Sequence, residues 1–256
     1  MSKCKSDAAP VWAGQNFLTG YQTVRRLLDK TTIGPGDRVI EIGPGKGHIT
    51  RQLAPRCASL WAVEPDARLC AALRARFSDA GNVRLVQGDF LRYALPARGA
   101  YKVFANLPFG LTTQMILRLA GAANPPADAW LIMEHGAAMR FMGQPHESAR
   151  SLTLKPQFAL HLAAHLPREA FHPMPRVDAA MLHLHRRPVP DLPRGQMDAY
   201  ERFVRYALAR GFKGLLTRGQ ISRALSLEGH ENHPSAELLY VQWLCLFRCY
   251  AGLSRV

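Results

Sequence analysis

Arg38-Val39-Ile40-Glu41-Ile42-Gly43-Pro44-Gly45-Lys46-Gly47-His48-Ile49-Thr50 decides the fold. A short β-branched run reads as a strand, breaks into a glycine turn, and continues as a helix carrying Ile49, Thr50 and Leu53. Glycines at such a turn permit a tight reversal and close backbone approach to a ligand beneath a helix N-terminus. The spacing is Gly-x-Gly-x-Gly, whereas a dinucleotide pyrophosphate calls for Gly-x-Gly-x-x-Gly. Glu41 also lies on the strand itself, where it repels phosphate. The pattern favours a nucleoside with a cationic or zwitterionic end over a nicotinamide dinucleotide.

Downstream, Ser59-Leu60-Trp61-Ala62-Val63-Glu64 reads as a second strand, and its terminal carboxylate suits both hydroxyls of a ribose. A helix (Leu69, Leu73, Phe77) leads to a third strand, Val83–Gln87, followed by Gly88-Asp89-Phe90. There Asp89 can accept from an adenine amine while Phe90 packs on the ring. Three successive strand ends thus place Gly, Glu and Asp on one edge of a parallel sheet, where open α/β sheets bind ligands. A fourth strand, Tyr101-Lys102-Val103-Phe104, breaks into Ala105-Asn106-Leu107-Pro108-Phe109-Gly110. The lone pair of a nucleobase amine is delocalised into its ring. Acceptors from the Asn106 side chain and the Leu107 carbonyl draw it back toward nitrogen, with Phe109 stacking on the base.

A helix is expected over Thr112–Leu119, capped by Thr112 or Thr113, then a strand at Asp128–Glu134 and a helix at Gly136–Met142. Gln144–Ser148 reads as a loop, and 158–167 and 179–186 read as extended. Between these last two runs lies the Pro-punctuated loop Phe171-His172-Pro173-Met174-Pro175-Arg176-Val177-Asp178. His161, His165, His183 and His185 alternate, which edge strands explain better than a metal. Upstream, Gln15-Asn16-Phe17-Leu18 precedes a helix pattern (Tyr21, Val24, Leu27, Leu28) with Thr19 as its expected N-cap, and is placed either to staple that helix or to fold over a ligand. Arg187–Gly195 is the strongest domain boundary, giving an expected catalytic domain at 1–188 and a helical domain at 189–256.

Thirty-three Lys and Arg against nineteen Asp and Glu leave a net charge of +14, which favours a polyanionic partner. Arg202, Arg205, Arg210, Lys213, Arg218 and Arg223 follow one another with no acidic residue between them, a one-sign run that suits phosphate contacts. With 256 residues the chain holds one large domain, or one large and one small. No apolar run reaches membrane-spanning length and no signal core follows Met1, so a soluble protein is expected. Five scattered cysteines suit a reducing cytoplasm. His230 and His233 with Cys245 and Cys249 are zinc-like residue types, but the two thiols lie one turn apart in an apolar helix, where buried thiols are common.

Taken together, Gln15-Asn16-Phe17-Leu18, Glu41–Gly47, Glu64, Gly88-Asp89-Phe90, Asn106-Leu107-Pro108-Phe109 and Phe171–Asp178 resemble the rRNA adenine N6-methyltransferases, in order over nearly the whole chain. The resemblance implies a class I, Rossmann-like S-adenosylmethionine-dependent α/β domain with a small all-helical C-terminal domain. Leu215-Leu216-Thr217-Arg218-Gly219-Gln220-Ile221-Ser222-Arg223-Ala224-Leu225 looks like the erythromycin-resistance branch, which modifies one adenine of 23S rRNA. Gly219 departs from that branch's usual Asn, and Phe109 stands where many members have Tyr. The other branch, dimethylating adjacent adenines of small-subunit rRNA, and a non-catalytic RNA-binding relative remain the alternatives.

By the same resemblance, Gly43 and Gly45 approach the methionine part of S-adenosylmethionine, Glu64 holds the ribose, and Asp89 with Phe90 holds the adenine. Gln15, Asn16 and Leu18 fold over the cofactor, and Asn106 also touches it. Asn106 with the Leu107 and Pro108 main chain orients the target amine, while Phe109 stacks the extruded base. Arg140, Arg176 and the basic run 202–223 are the expected RNA contacts. The expectation is of a cytoplasmic monomer that needs no metal and no membrane, working chiefly by positioning.

Overall fold

The computed structural model describes residues 16–227 and 237–253. These form two compact units, one comprising residues up to 135 with 162–185, the other 136–161 with 186 onward.

The first unit is built on the expected parallel strands: β2 (Arg38–Ile42), β3 (Ser59–Glu64), β4 (Val83–Gln87), β5 (Lys102–Asn106) and β6 (Asp128–Glu134). With β7 (Phe158–Leu166) and β9 (Ala179–Arg186) they make a seven-stranded sheet in the order β4-β3-β2-β5-β6-β9-β7. The first five are mutually parallel, while β9 runs antiparallel to β6. Strands buried on both faces read as near-continuous apolar runs, and β6 (DAWLIME) is of that kind, with only Glu134 half-buried. Chain order leaves β2 toward β3 and β4 on one side and toward β5 and β6 on the other. The gap between β2 and β5 is therefore the topological switch point, where such sheets open a ligand crevice.

Helix α1 (Tyr21–Leu28) buries Val24, Leu27 and Leu28, three and four residues apart on one face. Its N-cap is Gly20 rather than Thr19, whose hydroxyl donates instead to the Ala170 carbonyl at 3.0 Å. Helix α2 (Thr50–Leu53) follows the glycine turn, and α3 (Ala67–Arg76) is capped by Asp66, which accepts from Arg68 N at 2.7 Å and Leu69 N at 3.1 Å. Helix α4 (Thr112–Ala120) begins after Leu111 with no side-chain cap, and the Thr112 hydroxyl reaches back to the Phe109 carbonyl at 3.2 Å. The two-residue strand β1 (Phe17–Leu18) pairs antiparallel with β8 (Phe171–His172), joining segments about 150 residues apart that carry no strand pattern in the sequence.

In the second unit α5 (His135–Met142, from Gly136) and α6 (Ala149–Leu154) join α7 (Met197–Arg210), α8 (Arg218–Leu227) and α9 (Tyr240–Leu253). The unit is not the linear stretch 189–256: Leu152 of α6 is buried in one cluster with Tyr200, Phe203, Leu225, Trp243 and Phe247. A Ser148–Ser151 capping box starts α6, an element with too few residues to show periodicity in the sequence. Cys245 is buried and Cys249 half-buried, and His230 and His233 lie outside the described residues.

Candidate functional site: the crevice between β2 and β5

The β2–β5 register pairs Ile42 with Ala105, so Gly43 and Asn106 leave the sheet side by side. Gly43, Gly45 and Gly47 all take left-handed backbone angles, with φ of +66°, +57° and +77°. A side chain there is strained, and at Gly45 a Cβ would stand 2.6 Å from the Phe17 ring. The turn is held by Gly43 N–H donating to Val63 O (3.0 Å) and Gly47 N–H to Pro44 O (2.8 Å). The result is an open-sided cleft lined by Phe17, Leu18, Gly43, Pro44, Lys46, His48, Ile49 and Asn106.

Of the residues expected from sequence, Leu18, Gly43 and Asn106 line this cleft directly. Gly45 is turned inward: its N–H donates to Glu64 Oε2 at 2.9 Å, while Asp66 N–H donates to Oε1 at 3.0 Å. Glu64 is buried, and that burial pushes its pKa up against the two N–H donors. Asp89 is exposed and accepts from Leu91 N at 2.9 Å, whereas Phe90 is buried. Glu64, Asp89 and Phe90 stand at the neighbouring strand ends outside the cleft lining. Gln15 lies outside the described residues.

Asn106 is half-buried, and its amide Nδ2 donates to the Asn16 carbonyl at 2.8 Å. With the donor end engaged on main chain, Oδ1 is left as the acceptor. Leu107 N–H donates to Ile132 O at 2.9 Å, which ties the step to β6. The Pro108 carbonyl already accepts from Leu111 N–H at 2.9 Å and the Thr112 hydroxyl at 3.4 Å. Phe109 is half-buried and packs against the core.

Phe17, Lys46 and His48 line the cleft without having been singled out. The glycine motif contains two of them, and the Lys46 ammonium stands 5.2 Å from the Phe17 ring centroid. Burial lowers the His48 pKa, and the cations Arg76 and Lys46 lower it further. Beneath the turn, Glu41 is 1% exposed, and neither carboxylate oxygen has a hydrogen-bond partner among the described residues. Burial is the main cause that raises its pKa to about 8; the neighbouring Thr50 hydroxyl and N–H, beyond good hydrogen-bond geometry, oppose it, and Glu64 adds to it.

A glycine turn at the switch point, backed by two buried acids and facing an Asn-Leu-Pro-Phe step, suits a nucleoside better than a phosphate. Residues 11–235 match the family described as ribosomal RNA adenine dimethylase. The chain belongs to that family. S-adenosylmethionine-dependent methylation of rRNA adenine N6 is the family's reaction. An rRNA adenine N-6-methyltransferase of Corynebacterium diphtheriae is 36% identical over 230 residues, covering 87% of each chain. The ribosomal RNA small subunit methyltransferase A of Thermosynechococcus vestitus is 34% identical over 250 residues, covering 91% of this chain and 93% of its own. The crystal structure of the 23S rRNA methyltransferase ErmE aligns with a TM-score of 0.83 at 26% identity, covering 92% of this chain and all of that one.

The cleft of this dimethylase-family chain fits S-adenosylmethionine chemically. Each Glu64 oxygen accepts one N–H and retains a lone pair for a sugar hydroxyl.

In the second unit Arg140, Arg202, Arg205, Arg210, Lys213, Arg218 and Arg223 are all exposed, as is Arg176 in the first. The basic run does have an acidic neighbour: Glu201, just before it, pairs with Arg205 at 2.7 Å. Arg202 and Arg205 are three apart on α7 and share a face. Among the described residues no helix is long and apolar enough to cross a membrane.

Proposed function

We propose that this chain methylates the exocyclic N6 of a single adenine in the peptidyl-transferase loop of 23S rRNA, conferring macrolide–lincosamide–streptogramin B resistance. The observation that carries the adenine chemistry is the Asn106 amide, which is oriented by one Nδ2 N–H donating to Asn16 O at 2.8 Å. Its acceptor end is thereby presented beside the glycine turn, where an amine can donate to it. Main-chain help then falls to the Leu107 carbonyl, since the Pro108 carbonyl is taken by Leu111 and Thr112.

S-adenosylmethionine, when bound, supplies a methyl group on a positively charged sulfur that is already activated for transfer. Gly43 and Gly45 give the backbone room on the methionine side, Glu64 accepts from the ribose, and Asp89 and Phe90 receive the adenine. Asn16 and Leu18, with Gln15, close over the cofactor. Phe109 stacks the extruded base, worth about 1–3 kcal/mol. The residues act by orientation and exclusion of water, which is sufficient where the electrophile is pre-activated. Arg140, Arg176 and the cations from Arg202 to Arg223 neutralise RNA phosphates, with residues 189–256 as the principal RNA-binding region of a cytoplasmic monomer.

Similarity to ErmE and the segment Leu215–Leu225 support the 23S target. The 34% identity to a small-subunit methyltransferase supports the second reading, dimethylation of adjacent 16S adenines. Labelled S-adenosylmethionine is offered in parallel to protein-free 23S rRNA and to small ribosomal subunits, and the modified base is mapped. Label on one 23S adenine is expected. Label on adjacent small-subunit adenines moves the chain to the second branch, and label on neither, with cofactor still bound, favours an RNA-binding protein without turnover.

A further inference from the structure

At the opposite edge of the same sheet, two histidines converge on one buried acid. Asp128 opens β6, its side chain 9% exposed, and its Oδ1 lies 2.8 Å from His183 Nε2 and 2.8 Å from His185 Nδ1. The β6–β9 register accounts for this, pairing Asp128 with His185 and Trp130 with His183. The sequence pattern suggested an edge strand for these histidines, but β9 lies inside the sheet between β6 and β7. Their rings are therefore carried on a backbone paired on both sides. The Trp130 ring stacks on His183 with centroids 4.7 Å apart and planes 10° from parallel, which sets the orientation of that imidazole.

We propose that Asp128, His183 and His185 form a site for one divalent transition-metal ion of the zinc class, clamping β6 to β9. Their ligand atoms all lie within 4.8 Å of one another. Tetrahedral zinc with nitrogen and oxygen ligands at about 2.0–2.2 Å needs those atoms about 3.3 Å apart, so changes in ligand separation of about 0.5 to 1.5 Å suffice. Two imidazoles and a carboxylate suit zinc, nickel or cobalt, whereas magnesium and calcium prefer all-oxygen shells. His185, with its side chain 49% exposed, leaves an entry path and an open coordination position. The site is separate from the methylation cleft: Asp128 pairs with Lys102 at the start of β5, while Asn106 lies at its other end, about 13 Å along the strand.

The test uses the metal-free, tag-free full chain, titrated with zinc by calorimetry and with Co²⁺ by visible absorption. Wild type is expected to bind one equivalent of zinc, to melt at higher temperature with zinc present, and to give cobalt d–d bands without thiolate charge transfer. The His185→Ala variant, altered at the half-exposed ligand where folding is least threatened, should bind about 10- to 100-fold more weakly and lose the zinc-dependent melting shift. Absence of zinc uptake by wild type overturns the proposal. So does undiminished uptake by His185→Ala, or a thiolate band that puts the metal on the cysteines.

Discussion

At the scale of single residues, two polar side chains bear on the proposed chemistry and on stability. Asn106 joins the β5 end to the Asn16 main chain, and in the proposed mechanism its Oδ1 accepts from the target amine. Asn106→Ala should lower methyl transfer about a hundredfold or more, because a reacting amine left unoriented loses its near-attack geometry. Cofactor affinity by calorimetry should stay within a few-fold of wild type; near-wild-type turnover would defeat the mechanism. Glu41 pays for its position through protonation: burial pushes its pKa up to about 8 in the folded chain, from an ordinary 4.5. Between those values the folded chain holds a proton that the unfolded chain releases, so this group makes stability fall as pH rises through the window. Glu41→Gln keeps the shape and removes the titration. Urea unfolding at pH 5 and pH 8 should show the variant gaining stability relative to wild type at the higher pH; an unchanged difference would mean that Glu41 is ionised in the folded chain.

At the scale of elements, short motifs turn out to hold structure as well as chemistry. Thr217 and Gln220 cap α8 reciprocally: Thr217 N–H donates to Gln220 Oε1 at 2.8 Å, and Gln220 N–H to Thr217 Oγ1 at 3.3 Å. Part of the resemblance of Leu215–Leu225 to one branch of the family is thus a helix start that any sequence with this helix would favour. Thr217→Ala should cost about 0.5–2 kcal/mol in denaturant unfolding while transfer per folded molecule is retained. A loss of activity at full stability would instead place Thr217 on the RNA. The β1–β8 pair follows the same logic in the other direction: Phe17 pairs with His172 and Leu18 with Phe171, and Thr19 N–H donates to Ala170 O at 2.8 Å. That pairing ties the chain covering the glycine turn to the loop carrying Arg176.

For the whole molecule, the net charge of +14 is the dominant fact. Binding to a 23S fragment should weaken steeply with salt. If Arg218 contacts a phosphate as proposed, Arg218→Ala should reduce the slope of log affinity against log salt by about 0.7–0.9. Filter binding at several ionic strengths measures this directly, and an unchanged slope would leave Arg218 off the interface. Arg205 is expected to contribute less than its neighbours because Glu201 already pairs with it.

The parallel strands, the glycine turn and the Asn106–Phe109 step were legible in the sequence because each is local: alternation or continuity of apolar residues, glycine where φ must be positive, and a proline that ends a strand. The sequence also determined the family and the charge of the partner. Only the tertiary structure decided what depends on register between distant segments. Strand pairing brought Phe171 to Leu18 and His183 and His185 to Asp128, and packing drew α6 into the helical unit through Leu152. It also turned Gly45 toward Glu64, leaving Lys46 and His48 to face the cleft. A residue type states what bonds a side chain can make. Which partner it meets across 50 or 150 residues is set by how the strands are ordered, and nothing in local propensity encodes that order.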